Sequence, residues 1–191
     1  VTEDDCEALA QRVIDESGLD DRPNADPRIL ATAWAELELR PEPHCKPHIA
    51  DGVIHYPAGA ELSAVGYFVA HEMGHDILRW AGERLPYEEE ERAASRIGSA
   101  LLLPRRAFLR DLDAHAWDLA ALRDLWPLAS LWVLARRTHE LRVGAAALFS
   151  PSGRCRKRLG ALTREAQTFA DGSETVMISR RGVIARTEPT P

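Results

Sequence analysis

The chain opens with helical spacing. Residues 3–17 place Leu9, Ala10, Val13 and Ile14 on one stripe, which predicts a helix that Gly18 stops. A polar connection punctuated by proline comes next, from Asp20 to Pro27. Asp26-Pro27 has the form of an N-cap followed by proline at the first helical position, so a second helix is expected over Arg28–Leu37. Glu36-Leu37-Glu38-Leu39-Arg40 alternates as a strand does and overlaps the end of that helix. Asp51-Gly52 marks a turn, and Val53-Ile54-His55-Tyr56 reads as a strand closed by Pro57. Between them, Pro41-Glu42-Pro43-His44-Cys45-Lys46-Pro47-His48 carries prolines at alternate positions, the habit of an extended surface loop. It contains His-Cys-x-x-His, but with no matched fourth ligand nearby it reads as a loop rather than a metal clip.

Helical spacing returns over Ala64–Ala81, ended by Gly82. Pro86 then starts a helix with Glu88, Glu89, Glu90 and Glu91 near its beginning, where the helix dipole favours acids. It continues through Ala100-Leu101-Leu102-Leu103 and is expected to stop before Pro104. Trp117–Leu125 and Leu131–Arg142 read as two short helices, the second capped by Ser130. Val143–Phe149 reads as a strand, Ser150–Gly153 as a turn, and Thr175–Ser179 with Val183–Arg186 as a hairpin around Arg180-Arg181-Gly182. Together these elements predict an α+β fold with a helical core and a small sheet. Three regions are expected: a core over residues 1–113, a helical segment over 114–149 that looks like a helix-turn-helix packed on the core, and a basic C-terminal extension over 150–191.

Bulk properties narrow the class. The 191 residues, 45% hydrophobic and 28% charged, suit a globular protein of one domain with an appended subdomain. No run of 18 apolar residues indicates a membrane span. The acidic start and the odd count of three cysteines (Cys6, Cys45, Cys155) favour reduced thiols, and a cytoplasmic protein is expected. The net charge of −6 divides unevenly. Residues 1–113 hold 12 basic and 23 acidic side chains, a balance of −11, and residues 114–191 hold 12 and 7, a balance of +5. An acidic body and a basic tail, with Arg154, Arg156, Lys157, Arg158, Arg180 and Arg181, can orient a charged partner.

The chemistry lies in His71-Glu72-Met73-Gly74-His75. Residues four apart on a helix advance about 400°, so both imidazoles fall within roughly 40° of one another on one face. Such a pair can share a tetrahedral Zn²⁺ at about 2.0–2.1 Å. Glu72 stands beside that face rather than on it, where a general base would take a proton from water. The flanks, Val65–Ala70 and Ile77–Trp80, are apolar on nearly every side, so the helix is expected to be buried. Buried histidines need partners, and a metal supplies them.

A catalytic zinc takes three protein ligands. The pattern HExxHxxGxxH would put the third at position 81, which is Ala81, so that class is excluded. The four-glutamate run offers a carboxylate. From Glu91, steps of three and four reach Ala94, Ser95 and Gly98, small residues that would let this helix approach the HExxH helix closely. Glu91 is the leading candidate, with Glu88 and Glu90 as alternatives.

HEMGHDIL, followed by Glu91-Arg92-Ala93-Ala94 and Leu101-Leu102-Leu103-Pro104, resembles the ImmA/IrrE family of bacterial metallopeptidases. The second motif of that family reads E-x-x-A-N-x-F-A-x-x-L-L-x-P; this chain departs from it at Ser95 and Ile97. The resemblance covers about residues 20–142 and implies a zincin-like metallopeptidase fold with Glu91 as third ligand. It implies one Zn²⁺ per chain and endopeptidase activity, with Glu72 as general base. The implied substrate is a protein partner, often a helix-turn-helix transcriptional repressor whose loss derepresses genes for stress responses or mobile elements. The oxyanion donor stays open among His55, Tyr56, Tyr87 and His115. The alternative is a DNA-binding or toxin–antitoxin protein that retains a metal site, with Arg136, Arg137 and Arg142 on or near the second helix of the 114–142 segment. DNA contact is the less favoured reading, because Trp132, Val133 and Leu134 make that helix apolar. Oligomeric state is left open.

Overall fold

The computed structural model describes residues 1–19, 26–141, 143–149, 155–160, 175–180 and 183–184. It is α+β, as the spacing predicts. The described residues form two compact units, Val1–Phe108 with Trp126–Ala129, and Leu109–Leu125 with Ser130 onward.

The first unit begins with α1, Glu3–Ser17, entered through a capping box in which Thr2 and Asp5 satisfy each other's backbone N–H groups. Its buried stripe is Cys6, Ala10, Val13 and Ile14, so Cys6 rather than Leu9 completes the apolar face. α2, Pro27–Ala35, has Asp26 as its N-cap, accepting from Arg28 N–H at 2.9 Å. It ends earlier than expected because Glu36 turns left-handed at φ 53°, and this frees the alternating stretch to become β1, Glu38–Glu42. β2 (His48–Ala50) and β3 (Val53–Pro57) complete a sheet in the order β1-β3-β2. β3 runs parallel to β1 and antiparallel to β2. The expected loop is therefore shorter than residues 41–48, since both of its ends enter strands. Asp51 and Gly52, at φ 48° and 77°, form a two-residue turn of the primed type that matches strand twist.

α3, Leu62–Trp80, and α4, Tyr87–Leu102, lie against each other at the centre of this unit. α1 packs on α4, and α2, β2 and β3 pack on α3. Met73, Ile77, Leu78, Ile97 and Leu101 are almost wholly buried between these elements. Each buried aliphatic side chain contributes roughly 1.5–3 kcal/mol. Two glycines set how close the helices come. A Cβ at Gly74 would run into the carbonyl of Ala94, and one at Gly98 would lie 2.9 Å from the Ala70 carbonyl oxygen. Those obstacles are backbone atoms, which cannot rotate away.

α5, Arg105–Ala114, was not expected from the sequence. Pro104 reads as a stop, but its carbonyl accepts from Phe108 N–H at 2.9 Å and so opens the next helix.

The second unit holds α6 (Leu119–Leu125) and α7 (Leu131–Glu140). Ala116 and Trp117 are both left-handed, at φ 49° and 68°, so α6 cannot start at Trp117 as expected. Ser130 caps α7, as expected, by accepting from Val133 N–H at 3.3 Å. β4 (Gly144–Phe149), β5 (Cys155–Leu159), β6 (Thr175–Arg180) and β7 (Val183–Ile184) form an antiparallel sheet ordered β5-β4-β6-β7. Of the expected hairpin, the pairing of β6 with β7 is described, Ser179↔Ile184 and Arg180↔Val183, while Gly182, Ala185 and Arg186 lie outside the described residues. β5 was missed because Cys-Arg-Lys-Arg-Leu shows no apolar alternation. The strands beyond residue 150 pair with both sides of β4, so the expected basic extension is part of a sheet. The turn at Ser150–Gly153, Arg142, Arg154 and Arg181 lie outside the described residues. Among the described residues, no helix is long and apolar enough to cross a membrane.

Candidate metal centre

α3 projects His71 and His75 from adjacent turns toward α4, which brings Glu91 up from its own first turns. Ligand atoms of the three residues all lie within 4.8 Å of one another. Glu91 spans the pair, with Oε2 3.4 Å from His71 Nε2 and Oε1 3.3 Å from His75 Nε2. Ligands held about 2.0–2.1 Å from a tetrahedral ion stand about 3.3–3.4 Å apart, so the two histidine–carboxylate spacings match those of ligands around a zinc-sized ion. The two rings meet edge to face, with centroids 4.9 Å apart and planes at 89°, and both Nε2 atoms turn toward the same carboxylate.

The far side of each ring is also held. His75 Nδ1 lies 2.8 Å from Glu90 Oε1, so its N–H donates to that carboxylate and Nε2 is the nitrogen turned toward Glu91. His71 Nδ1 lies 3.2 Å from Ser95 Oγ, which in turn accepts from the Tyr67 hydroxyl at 3.4 Å. Ser95 thus occupies the position where the resemblance leads one to expect asparagine, and still orients a ring. Glu90, an alternative third ligand on spacing, stands behind His75, and Glu88 lies exposed on α4.

Glu72 is buried beside this cluster. Burial raises its proton affinity above the ordinary glutamate range; the nearby positive field of His75 offsets this in part, while Glu91 adds to it. His48 and a backbone hydrogen bond from Ile49 act in the direction of His75. A carboxylate whose proton affinity is raised in this way is a better proton acceptor than a free glutamate.

Tyr87 is 75% exposed at the start of α4. Tyr56 is half-buried on β3, and His115 belongs to the second unit. His55, on β3, bonds through Nδ1 to Glu42 Oε1 at 2.8 Å. Its ring stacks on His48 with centroids 4.6 Å apart and planes at 4°. Sequence reasoning missed this pairing. The signal was available: a two-residue turn at Asp51-Gly52 forces the register 50↔53, 49↔54, 48↔55. On α7, Arg137 is wholly buried, and Arg136 is paired with Glu140 at 3.0 Å. A guanidinium buried in this way cannot reach a phosphate.

No family model matches the chain, and no curated protein does. Among solved structures, a Mycobacterium tuberculosis transcriptional regulator shares its fold, with a TM-score of 0.62 at 16% identity. The match covers 84% of this chain, which spans 56% of the length of that one.

Proposed function

We propose that this chain is a zinc-dependent endopeptidase with a zincin-like core, of the kind that the ImmA/IrrE resemblance implies. The observation that carries the reading is the convergence of His71, His75 and Glu91 with a buried Glu72 beside them. Two imidazoles and one carboxylate suit zinc, and Mn²⁺ or Fe²⁺ can occupy such a set. A Zn²⁺ held there supplies a Lewis acid that polarises a peptide carbonyl and lowers the pKa of water toward 7. Glu72 removes the proton as the water oxygen bonds to the carbonyl carbon, and delivers it to the nitrogen as the C–N bond breaks. Glu90 and Ser95 keep the two rings turned so that their Nε2 atoms face inward.

The proposed substrate is a protein partner, a helix-turn-helix repressor in the first instance, met in the cytoplasm. A fold shared with a protein named as a transcriptional regulator is compatible with a regulatory role. It equally supports a second reading, a regulator that keeps the metal site without cleaving. One experiment separates them: incubation of the metal-loaded chain with the repressor encoded nearest its gene, with and without a chelator. The peptidase reading expects metal-dependent cleavage. Glu72→Gln keeps the shape but cannot accept the proton, so cleavage should fall roughly 10²–10⁴-fold while metal content holds. Undiminished cleavage by that variant would remove Glu72 as the base.

A further inference from the structure

His48 and His55 are not used by the metal centre, and any catalytic part for them rests on the reading of that centre as a peptidase site. The two face each other across the β2–β3 hairpin, and each ring is tethered at Nδ1. Glu42 Oε1 holds His55 at 2.8 Å, and the Lys46 carbonyl holds His48 at 2.9 Å. A carbonyl oxygen can only accept, so His48 donates from Nδ1 to Lys46, and in the neutral form of the ring Nε2 is the acceptor. Stacking at 4° keeps the ring from turning. It also keeps the in-plane lone pairs of the two Nε2 atoms parallel, so they do not converge on an ion. Among the described residues, neither histidine joins a group of three potential metal ligands.

The row Glu42–His55–His48 therefore runs across the sheet in its spatial order β1-β3-β2 and ends at an outer edge. That edge borders the base. Ala50↔Val53 closes a two-residue turn and is a hydrogen-bonded pair, so the next pair, Ile49↔Ile54, turns its N–H and C=O groups away from the partner strand. β2 packs against α3, the helix that carries Glu72, and the Ile49 N–H favours the charged form of that carboxylate. An exposed, rigidly oriented acceptor thus sits one residue from the N–H that favours the charged base. Fixing a surface ring in this way costs rotamer entropy, and packing a three-residue strand does not require it.

We propose that His48 is a further catalytic residue, whose Nε2 accepts a hydrogen bond from the N–H of the peptide bond being cut, with His55 and Glu42 as positioning residues behind it. It transfers no proton. The proton passes from water to Glu72 and from Glu72 to the departing nitrogen, while His48 holds that nitrogen in line.

The test uses two small probes on the full Zn²⁺-loaded chain. Acetohydroxamate carries an N–H beside its metal-binding oxygens, and N-methylacetohydroxamate lacks it. Calorimetry on the wild type and on His48→Ala should show acetohydroxamate binding weakened about 2–10-fold by the substitution, the scale of one hydrogen bond. Binding of the N-methyl probe should not change. His48→Gln, whose Oε1 also accepts, should restore part of the loss. Equal weakening of both probes, or of neither, overturns the role of His48 and leaves the metal centre standing. Wild-type chain that binds no metal, or neither probe, overturns the metal-centre reading itself and this inference with it. On the metal-free chain, ¹⁵N spectra of the ring should show His48 as the Nδ1–H tautomer; the Nε2–H tautomer would overturn the assignment.

Discussion

Two histidine pairs share the first unit, and each has a carboxylate behind it. His71 and His75 ride on α3, with rings at 89° and Glu90 on the outer nitrogen of His75. His48 and His55 ride on β2 and β3, with rings at 4° and Glu42 on the Nδ1 of His55. The residue types nearly coincide, but the geometry does not. A helix sets residues i and i+4 about 40° apart, so two imidazoles can turn their Nε2 atoms toward one point, where Glu91 waits. A cross-strand pair emerges side by side and stacks face to face. Crossed planes can share an ion, whereas parallel planes offer separate hydrogen-bonding edges. Composition alone would not tell the pairs apart.

The largest expected effect breaks the comparison directly. His75→Ala removes one of three converging donors and should abolish stoichiometric metal in the purified chain. His48→Ala should leave metal content at the wild-type level. Elemental analysis of the two variants side by side checks both statements. Full occupancy in the His75 variant would sink the ligand assignment, and loss of metal in the His48 variant would erase the distinction between the pairs.

Next come the carboxylates behind the rings. Removing an outer partner of a ligating histidine typically costs about 10–100-fold in metal affinity. Glu90→Ala should therefore weaken zinc binding by about that much, measured by competition with a chelating dye. Glu42→Ala, equally close to its own histidine, should leave zinc affinity unchanged.

The two pairs also differed in how readable they were. His71, Glu72 and His75 are legible because a helix fixes their relation within five residues. Glu91 was reachable because Ala94, Ser95 and Gly98 mark a face small enough for close approach, and the crossing at Ala70 and Ala94 shows that face in use. The strand pair needed a register. β2 is three residues long and preceded by prolines, so no alternation announces it, and only the turn at Asp51-Gly52 specifies which residues meet. α5 was lost because proline can open a helix as well as end one, and β5 because its charges obscure strand periodicity.

The supports beneath each pair give two smaller effects. Gly74→Ala drives a Cβ into the Ala94 carbonyl and Cα, which must be met by separating α3 from α4. Overpacking of that kind costs typically about 1–3 kcal/mol, and the upper end, about 3 kcal/mol, is expected because backbone atoms cannot yield. Since Glu91 is on α4 and the histidines are on α3, metal affinity should fall with the melting temperature.

The smallest effect lies under the strand pair. Gly52 has φ 77° and open space where a Cβ would go, so Gly52→Ala meets no clash and costs only the left-handed conformation, about 1–2 kcal/mol. The hairpin register survives a cost of that size, because Ile54 is fully buried and a slip of one residue would carry it to the other face. Melting of the metal-free chain should therefore shift down modestly, while zinc affinity stays at the wild-type value. The ¹⁵N ring signature of His48 should also persist, since Lys46 and His55 still hold the imidazole. If zinc affinity fell in Gly52→Ala as far as in Gly74→Ala, the sheet would be supporting the metal ligands themselves. The two pairs would then form one site rather than a metal centre and its neighbouring hydrogen-bonding edge.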